Sequence, residues 1–165
     1  ERSASKTCDQ RDNPNNLRFC DSVGPFRTLF KLSGFYPLPY DFQVSGAFVA
    51  RPGADIAAIY TVTSAIAGRP IIGSTAGAQQ IAVNLVEPNT MFRDYVNQLD
   101  MRLARTFRFG RYRVLGMVDI YNVFNAGTVT SLNTNFGAVQ ATRVWLNPQA
   151  IQTSRYVRFG AQISF

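Results

Sequence analysis

The chain contains no histidine. That removes Ser-His and Cys-His nucleophile pairs, His-ligated zinc and HExxH chemistry. Carboxylates are scarce: of ten, only Glu1 and Glu87 are glutamates. No acidic pair sits on a scaffold suited to two-carboxylate hydrolysis. Neither catalysis nor a cofactor is therefore expected. Lysine is nearly absent, with Lys6 and Lys31 alone beside fifteen arginines. Long apolar runs are missing too, none approaching the ~18 residues of a membrane-spanning helix. A barrel strand needs only alternate apolar residues to cross a bilayer, so a membrane location stays open. The opening Glu1-Arg2-Ser3-Ala4-Ser5 offers neither an initiating Met nor an apolar leader core. For an exported protein, this start fits a piece of a longer polypeptide.

At 165 residues the length suits one domain with its own core. Hydrophobic residues make up 46% of the chain. Mean hydropathy is nevertheless only −0.06, so apolar side chains are interleaved with polar ones rather than blocked together. The net charge is +7. Its arginines are spread along strand-like segments instead of being gathered on one helix or arm, and nucleic acid is not an expected partner. Cys8 and Cys20, the only cysteines, lie in a polar segment rich in Asn, Asp and Arg. In an extracytoplasmic protein such a pair forms a loop disulfide; in the cytosol it would remain two free thiols.

Residues 1–25 read as a loop, with a turn cluster at Asp12-Asn13-Pro14-Asn15-Asn16. From Phe26 to Tyr36 the pattern alternates. Phe26, Thr28, Phe30, Leu32, Gly34 and Tyr36 share one face, opposite Arg27, Leu29, Lys31, Ser33 and Phe35. Pro37-Leu38-Pro39-Tyr40 breaks the run. Phe42, Val44, Gly46, Phe48 and Ala50 then alternate with Gln43, Ser45 and Ala47, which predicts a hairpin. Residues 53–93 read as a long loop with local strands near Ile56–Val62 and Ile81–Val86. A second hairpin follows, Leu99 to Phe109 and back from Tyr112 to Phe124 around Gly110-Arg111. A polar, turn-rich stretch leads to about Thr153. The last run, Tyr156 to Phe165, alternates most cleanly.

Alternation alone fits a soluble sandwich as well. Three features favour a membrane barrel. Tight turns at Pro37 and Gly110 alternate with long connections, the outer-membrane pattern of short periplasmic turns and long extracellular loops. If those turns and the final residue share one rim, Tyr36, Tyr40, Phe42, Phe107, Phe109, Tyr112 and Phe165 form a periplasmic aromatic girdle. The non-lipid face carries Arg27, Lys31, Gln43, Asp100, Arg102, Arg158 and Gln162, a polar set suited to a wet or plugged lumen and not to a dry core. Arg105 falls on the lipid face, close enough to the rim to snorkel.

Asn97-Gln98-Leu99-Asp100-Met101-Arg102-Leu103-Ala104-Arg105-Thr106-Phe107 resembles the "LDLRLSKxF" strand near the end of TonB-dependent receptors. Val118-Asp119-Ile120-Tyr121-Asn122-Val123-Phe124-Asn125 resembles their following "LDVFNLFN" strand. Arg155 to Phe165 resembles their terminal strand, and Leu32-Ser33-Gly34-Phe35-Tyr36-Pro37-Leu38-Pro39 looks like a late hairpin of the larger, Oar-like receptors. The resemblance implies an all-β fold: an antiparallel meander of about five long membrane-spanning strands, forming the C-terminal part of a transmembrane β-barrel. Residues 1–25 would be an extracellular loop and 26–165 barrel strands and loops. Tyr156, Phe159, Ile163 and Phe165 would carry the signal read by the barrel-assembly machinery.

The same resemblance implies an outer-membrane address in a Gram-negative-type bacterium and energised uptake of a scarce nutrient. Its partners would be outer-membrane lipid, the rest of the barrel with its plug, the TonB complex through that plug, and a small-molecule, glycan or peptide ligand. Such transporters have ~22 strands, and five cannot close a wall. A non-transport barrel or adhesin is the first alternative. A soluble β-sandwich binding module is the second.

Overall fold

A computed structural model describes residues 4–6, 15, 18–71, 80–137 and 144–165. The protein is all-β, built from antiparallel sheets. The chain divides into two units. No helix among the described residues is long and apolar enough to cross a membrane.

The first unit comprises Glu1–Thr28, Gly53–Asp94 and Val129–Ile151. It holds three two-stranded pairs: β1 (Ala4–Lys6) with β2 (Asp21–Val23), β5 (Ile59–Thr63) with β6 (Gln80–Asn84), and β9 (Val129–Leu132) with β10 (Pro148–Ile151). One helical turn, α1 (Ser64–Ala67), is capped by the Thr63 side chain and ends on Gly68 at φ 65°. The predicted local strands at 56–62 and 81–86 are thus one hairpin, shifted by up to three residues. β1, β2, β9 and β10 lie in stretches that read as loop. At three or four residues each they are too short to show alternation. Of the predicted turn cluster at 12–16, only Asn15 is among the described residues; it donates to Asn84 O at 2.6 Å. Cys20 is disulfide-bonded. Cys8 lies outside the described residues.

The second unit comprises Leu29–Pro52, Tyr95–Thr128 and Gln152–Phe165. It is one five-stranded sheet in the order β11-β8-β7-β4-β3. The strands are β3 (Phe30–Leu38), β4 (Phe42–Arg51), β7 (Val96–Phe109), β8 (Tyr112–Tyr121) and β11 (Tyr156–Ser164). All neighbours are antiparallel. The sheet is open, with β3 and β11 as its edges. The two tight turns fall at one end, and there Ser164 of β11 pairs with Arg113, next to the β7–β8 turn. The long connections leave from the other end, where Arg51 pairs with Val96 and Tyr121 with Tyr156.

Turn chemistry explains the tight ends. Gly110 sits at φ 59° between the paired Phe109 and Tyr112. A positive φ at the first central position is the pattern of a two-residue type II′ hairpin and favours glycine there. The first hairpin uses Tyr40 and Asp41 at φ 63° and 59° instead. Asp41 O accepts from Thr106 N at 3.0 Å, and its carboxylate pairs with Arg108 at 2.6 Å, so this turn is tied to β7.

Two boundaries differ from the sequence reading. Strand β3 runs through Pro37 and Leu38, which pair with Gln43 and Phe42. An edge strand tolerates proline because the missing N–H can face away from the ladder. At its other end β3 begins at Phe30, not Phe26. The Arg27 guanidinium donates to Gly53 O and lies 4.0 Å from the Phe92 ring centroid, which holds it in the first unit. Arg27 therefore does not belong to the polar face of the sheet.

The register assigns the faces. One carries Leu32, Tyr36, Phe42, Val44, Phe48, Leu103, Phe107, Val118, Phe159 and Ile163 among others, and it is apolar but for Asn97 and Arg105. Much of it is exposed, Phe159 to 78% and Leu32 to 62%. Among the described residues the buried hydrophobics are only Ala58, Ile71, Val96 and Ala104. The large apolar side chains of this sheet are not its core.

Candidate functional site on the polar face of the sheet

The opposite face is polar because strand alternation sends every second residue there. Lys31, Gln43, Asp100, Arg102, Arg158 and Gln162 all share it, as their sequence parity predicts. What parity does not show is which of them meet. Antiparallel register places Arg102, Asp119 and Arg158 side by side across β7, β8 and β11. Directly opposed residues of opposite charge attract, and here one carboxylate is shared by two cations.

Asp119 is the centre of that row. It is only 5% exposed, although much of its face is open. Arg102 reaches it through Nε at 2.5 Å and Nη2 at 3.2 Å, one contact to each carboxylate oxygen. Arg158 grips the second oxygen through Nε at 3.0 Å and Nη2 at 2.7 Å. Such forked guanidinium contacts fix orientation as well as charge. The Arg158 guanidinium also lies 5.3 Å from the Tyr121 ring, and Tyr121 stacks on Tyr156 at 4.6 Å between centroids. Both arginines remain about half exposed, so part of each fork faces outward.

Asp100, one row toward the long connections, is engaged differently. Its carboxylate accepts from Gln98 Nε2 at 3.0 and 2.9 Å and from the Asn122 backbone N–H at 2.9 Å. Asn122, 2% exposed and at φ 51°, ends β8. Its side chain donates to Ala126 O at 2.9 Å and Thr153 O at 2.7 Å, and accepts from Ala126 N at 3.0 Å. Asn125, at φ 52°, accepts from Arg155 N at 3.0 Å. The Asp119-Asn122-Asn125 spacing thus serves an ion cluster and a turn that leads β8 toward β11.

Asp100, Arg102, Asp119 and Tyr121 line an open hollow of about 760 Å³ together with Ser33, Gln43 and Ser45. No family model, curated protein or solved structure matches the chain. No cluster of three or more potential metal-ligating side chains occurs among the described residues. The hollow offers the Arg102 guanidinium, the carboxylates of Asp100 and Asp119 and the hydroxyl groups of Ser33, Ser45 and Tyr121, which suits hydration or contact with polar groups.

Neither Asp119 nor Tyr121 is among the polar-face residues singled out in the sequence, where Asp119, Asn122 and Asn125 read as strand capping and turn formation. The parity of Asp119 and Tyr121 already put them opposite Val118 and Ile120. The missing signal was the offset between β7, β8 and β11, which composition does not encode.

The other residues singled out in the sequence are placed as follows. Phe42, Phe107, Phe109 and Tyr112 cluster at the tight-turn end, with Tyr36 a step further in and Tyr40 at the turn itself. Phe107 and Phe109 stack at 6.5 Å. Of the four residues assigned to assembly, Phe159 and Ile163 share the apolar face, Tyr156 takes the polar face, and Phe165 follows the last strand almost fully exposed.

Proposed function

We propose that this chain forms part of the wall of an outer-membrane β-barrel, as the end of a TonB-dependent transporter for a scarce nutrient. One observation carries the reading: a sheet with one apolar face, exposed along β3, β7 and β11 and charged only at Arg105, whose opposite face holds the other charges. The strands have nine, ten, fourteen, ten and nine residues. A tilted strand crosses a bilayer in about 9–11 residues. Lipid would cover the apolar face, and the Arg102–Asp119–Arg158 row would line a wet lumen. The edges of β3 and β11 would be paired by further wall strands, because lipid offers a bare ladder no hydrogen bonds. The connections in 53–94 and 129–151 would then face outward, where ligand is first met. Transport in place of adhesion rests on the resemblance of β7, β8 and β11 to the last strands of such receptors.

The test is the mass and location of the native polypeptide, detected with an antibody to β11. A band several times heavier than 18.3 kDa in the outer-membrane fraction supports the transporter. A band of 18.3 kDa in that fraction overturns the single-chain transporter. A soluble band overturns the membrane reading altogether.

A further inference from the structure

Within the five-stranded sheet, the apolar face carries a single charged residue, Arg105. Its guanidinium lies 4.6 Å from the Phe42 ring centroid and 5.0 Å from that of Phe107. Phe42 is its cross-strand partner, and Phe107 is two residues nearer the tight turn. The side chain therefore leans toward the turn end of the sheet, packing its cation between two rings.

Those rings satisfy charge without accepting the guanidinium's N–H groups in plane. Among the described residues no oxygen accepts from the Arg105 side chain. Within residues 36–43, 104–116 and 162–165 the only carboxylate side chain is Asp41, and it is committed to Arg108. Arg111 and Arg113 add further positive charge at this end. A guanidinium facing lipid without an acceptor would be costly, whereas a phosphate diester accepts its fork bidentately.

We propose that Arg105, with Phe42 and Phe107, binds the phosphate of an anionic phospholipid at the tight-turn rim of the barrel. The rings hold the cation on the turn side of its own backbone, and the long side chain can reach a phosphate drawn in at the rim. The acyl chains would lie against Leu103, Val118 and the exposed strand β11. This site rests on the barrel reading of the previous subsection.

The test uses the full native polypeptide reconstituted into phosphatidylcholine vesicles with and without one-fifth phosphatidylglycerol. Insertion is scored first, by protection from protease. Spin-labelled phosphatidylglycerol and phosphatidylcholine then report the lipids held at the protein surface. The wild type should hold the anionic lipid about fivefold over the neutral one, in line with the attraction of one cation near a charged surface. Arg105→Gln should lose most of that preference, and Arg105→Lys should keep part of it. Millimolar inorganic phosphate should not displace the lipid. Insertion with the same preference in Arg105→Gln overturns the site alone. Displacement by inorganic phosphate replaces the lipid with a free anion and also overturns it. Failure of every form, wild type included, to insert in either vesicle overturns the barrel reading with it.

Discussion

Replacing Leu103 with arginine separates a lipid-facing wall from a soluble sheet. Leu103 lies on the apolar face, paired with Val44 and Val118, and is 44% exposed. It stands seven residues before Gly110. At a rise of about 3.4 Å per residue and a tilt of about 45°, that is about 17 Å from the turn. An apolar band about 25 Å tall, with the turn just outside it, puts Leu103 close to the midplane. Arginine there should cost about 2–4 kcal/mol. Phe109→Arg, one residue from the turn, should cost only about 0–1 kcal/mol. Gln43→Arg, at similar depth but on the polar face beside Ala104, should stay within about 0.5 kcal/mol. Reversible urea unfolding from phospholipid vesicles, followed by heat-modifiable gel mobility, measures all three. In water, a leucine already half exposed would be replaced at little cost and with a gain in solubility. Equal stabilities for Leu103→Arg and Gln43→Arg would therefore refute the wall, whatever the absolute values.

Other expectations test the parts of the fold. Asn122→Ala removes three hydrogen bonds and leaves the carbonyl groups of Ala126 and Thr153 to find other donors, at about 1–3 kcal/mol for each one left buried; equilibrium unfolding reads the loss. Gly53→Ala places a Cβ against the carbonyl oxygens of Asp94 and Arg93, and limited proteolysis should then cut the first unit at concentrations that leave the wild type whole. Gly110→Ala keeps the turn but adds a Cβ at φ 59°, a cost of about 1–2 kcal/mol visible in the unfolding midpoint. Asp119→Asn leaves Arg102 and Arg158 facing each other without a carboxylate between them, so its stability should rise with added salt more steeply than that of the wild type. An identical salt dependence would mean that the three groups do not act together.

The strands of the sheet were legible because each is long enough to show its period. From Leu99 to Phe109 and from Tyr156 to Ser164 the alternation continues for four or more cycles, and the faces it assigns agree with the register. The tight turn at Gly110 was legible from glycine, and the one after Leu38 from its prolines, although Pro37 itself lies inside the strand. Legibility failed where local pattern is not the deciding force. Phe26 to Leu29 alternate like a strand, but Arg27 is drawn to Gly53 and Phe92, a contact set by residues far along the chain. Strands β9 and β10 form in a polar stretch because Asn133 and Trp145 organise it: the Asn133 amide donates to Val144 O at 3.1 Å, and the Trp145 indole donates to Ala57 O at 3.0 Å. The ion row was half legible, since parity gives the face of Asp119 and only register gives its neighbours.

The position of that row bears on the environment of the sheet. Arg102, Asp119 and Arg158 lie near mid-height, level with Met101 and Leu103 on the other face. Two cations sharing one anion leave an excess positive charge there. A dry sandwich core at that height would have to bury it, which costs far more than the burial of a few side chains returns. Water or a polar partner on that side removes the difficulty. The apolar face presents the opposite demand, because Phe159, Ile163, Leu32 and Tyr36 need a cover that is not water. A soluble protein would have to cover one face with a second apolar layer while leaving the charged face open. Among the described residues Leu32, Tyr36, Leu103, Phe159 and Ile163 of that face stay exposed while Phe48, Val114 and Val118 are half-buried, so no continuous second layer covers the face. A bilayer on one side and a wet lumen on the other meet both demands with the same five strands, and the Leu103 and Gln43 substitutions ask about the two sides separately.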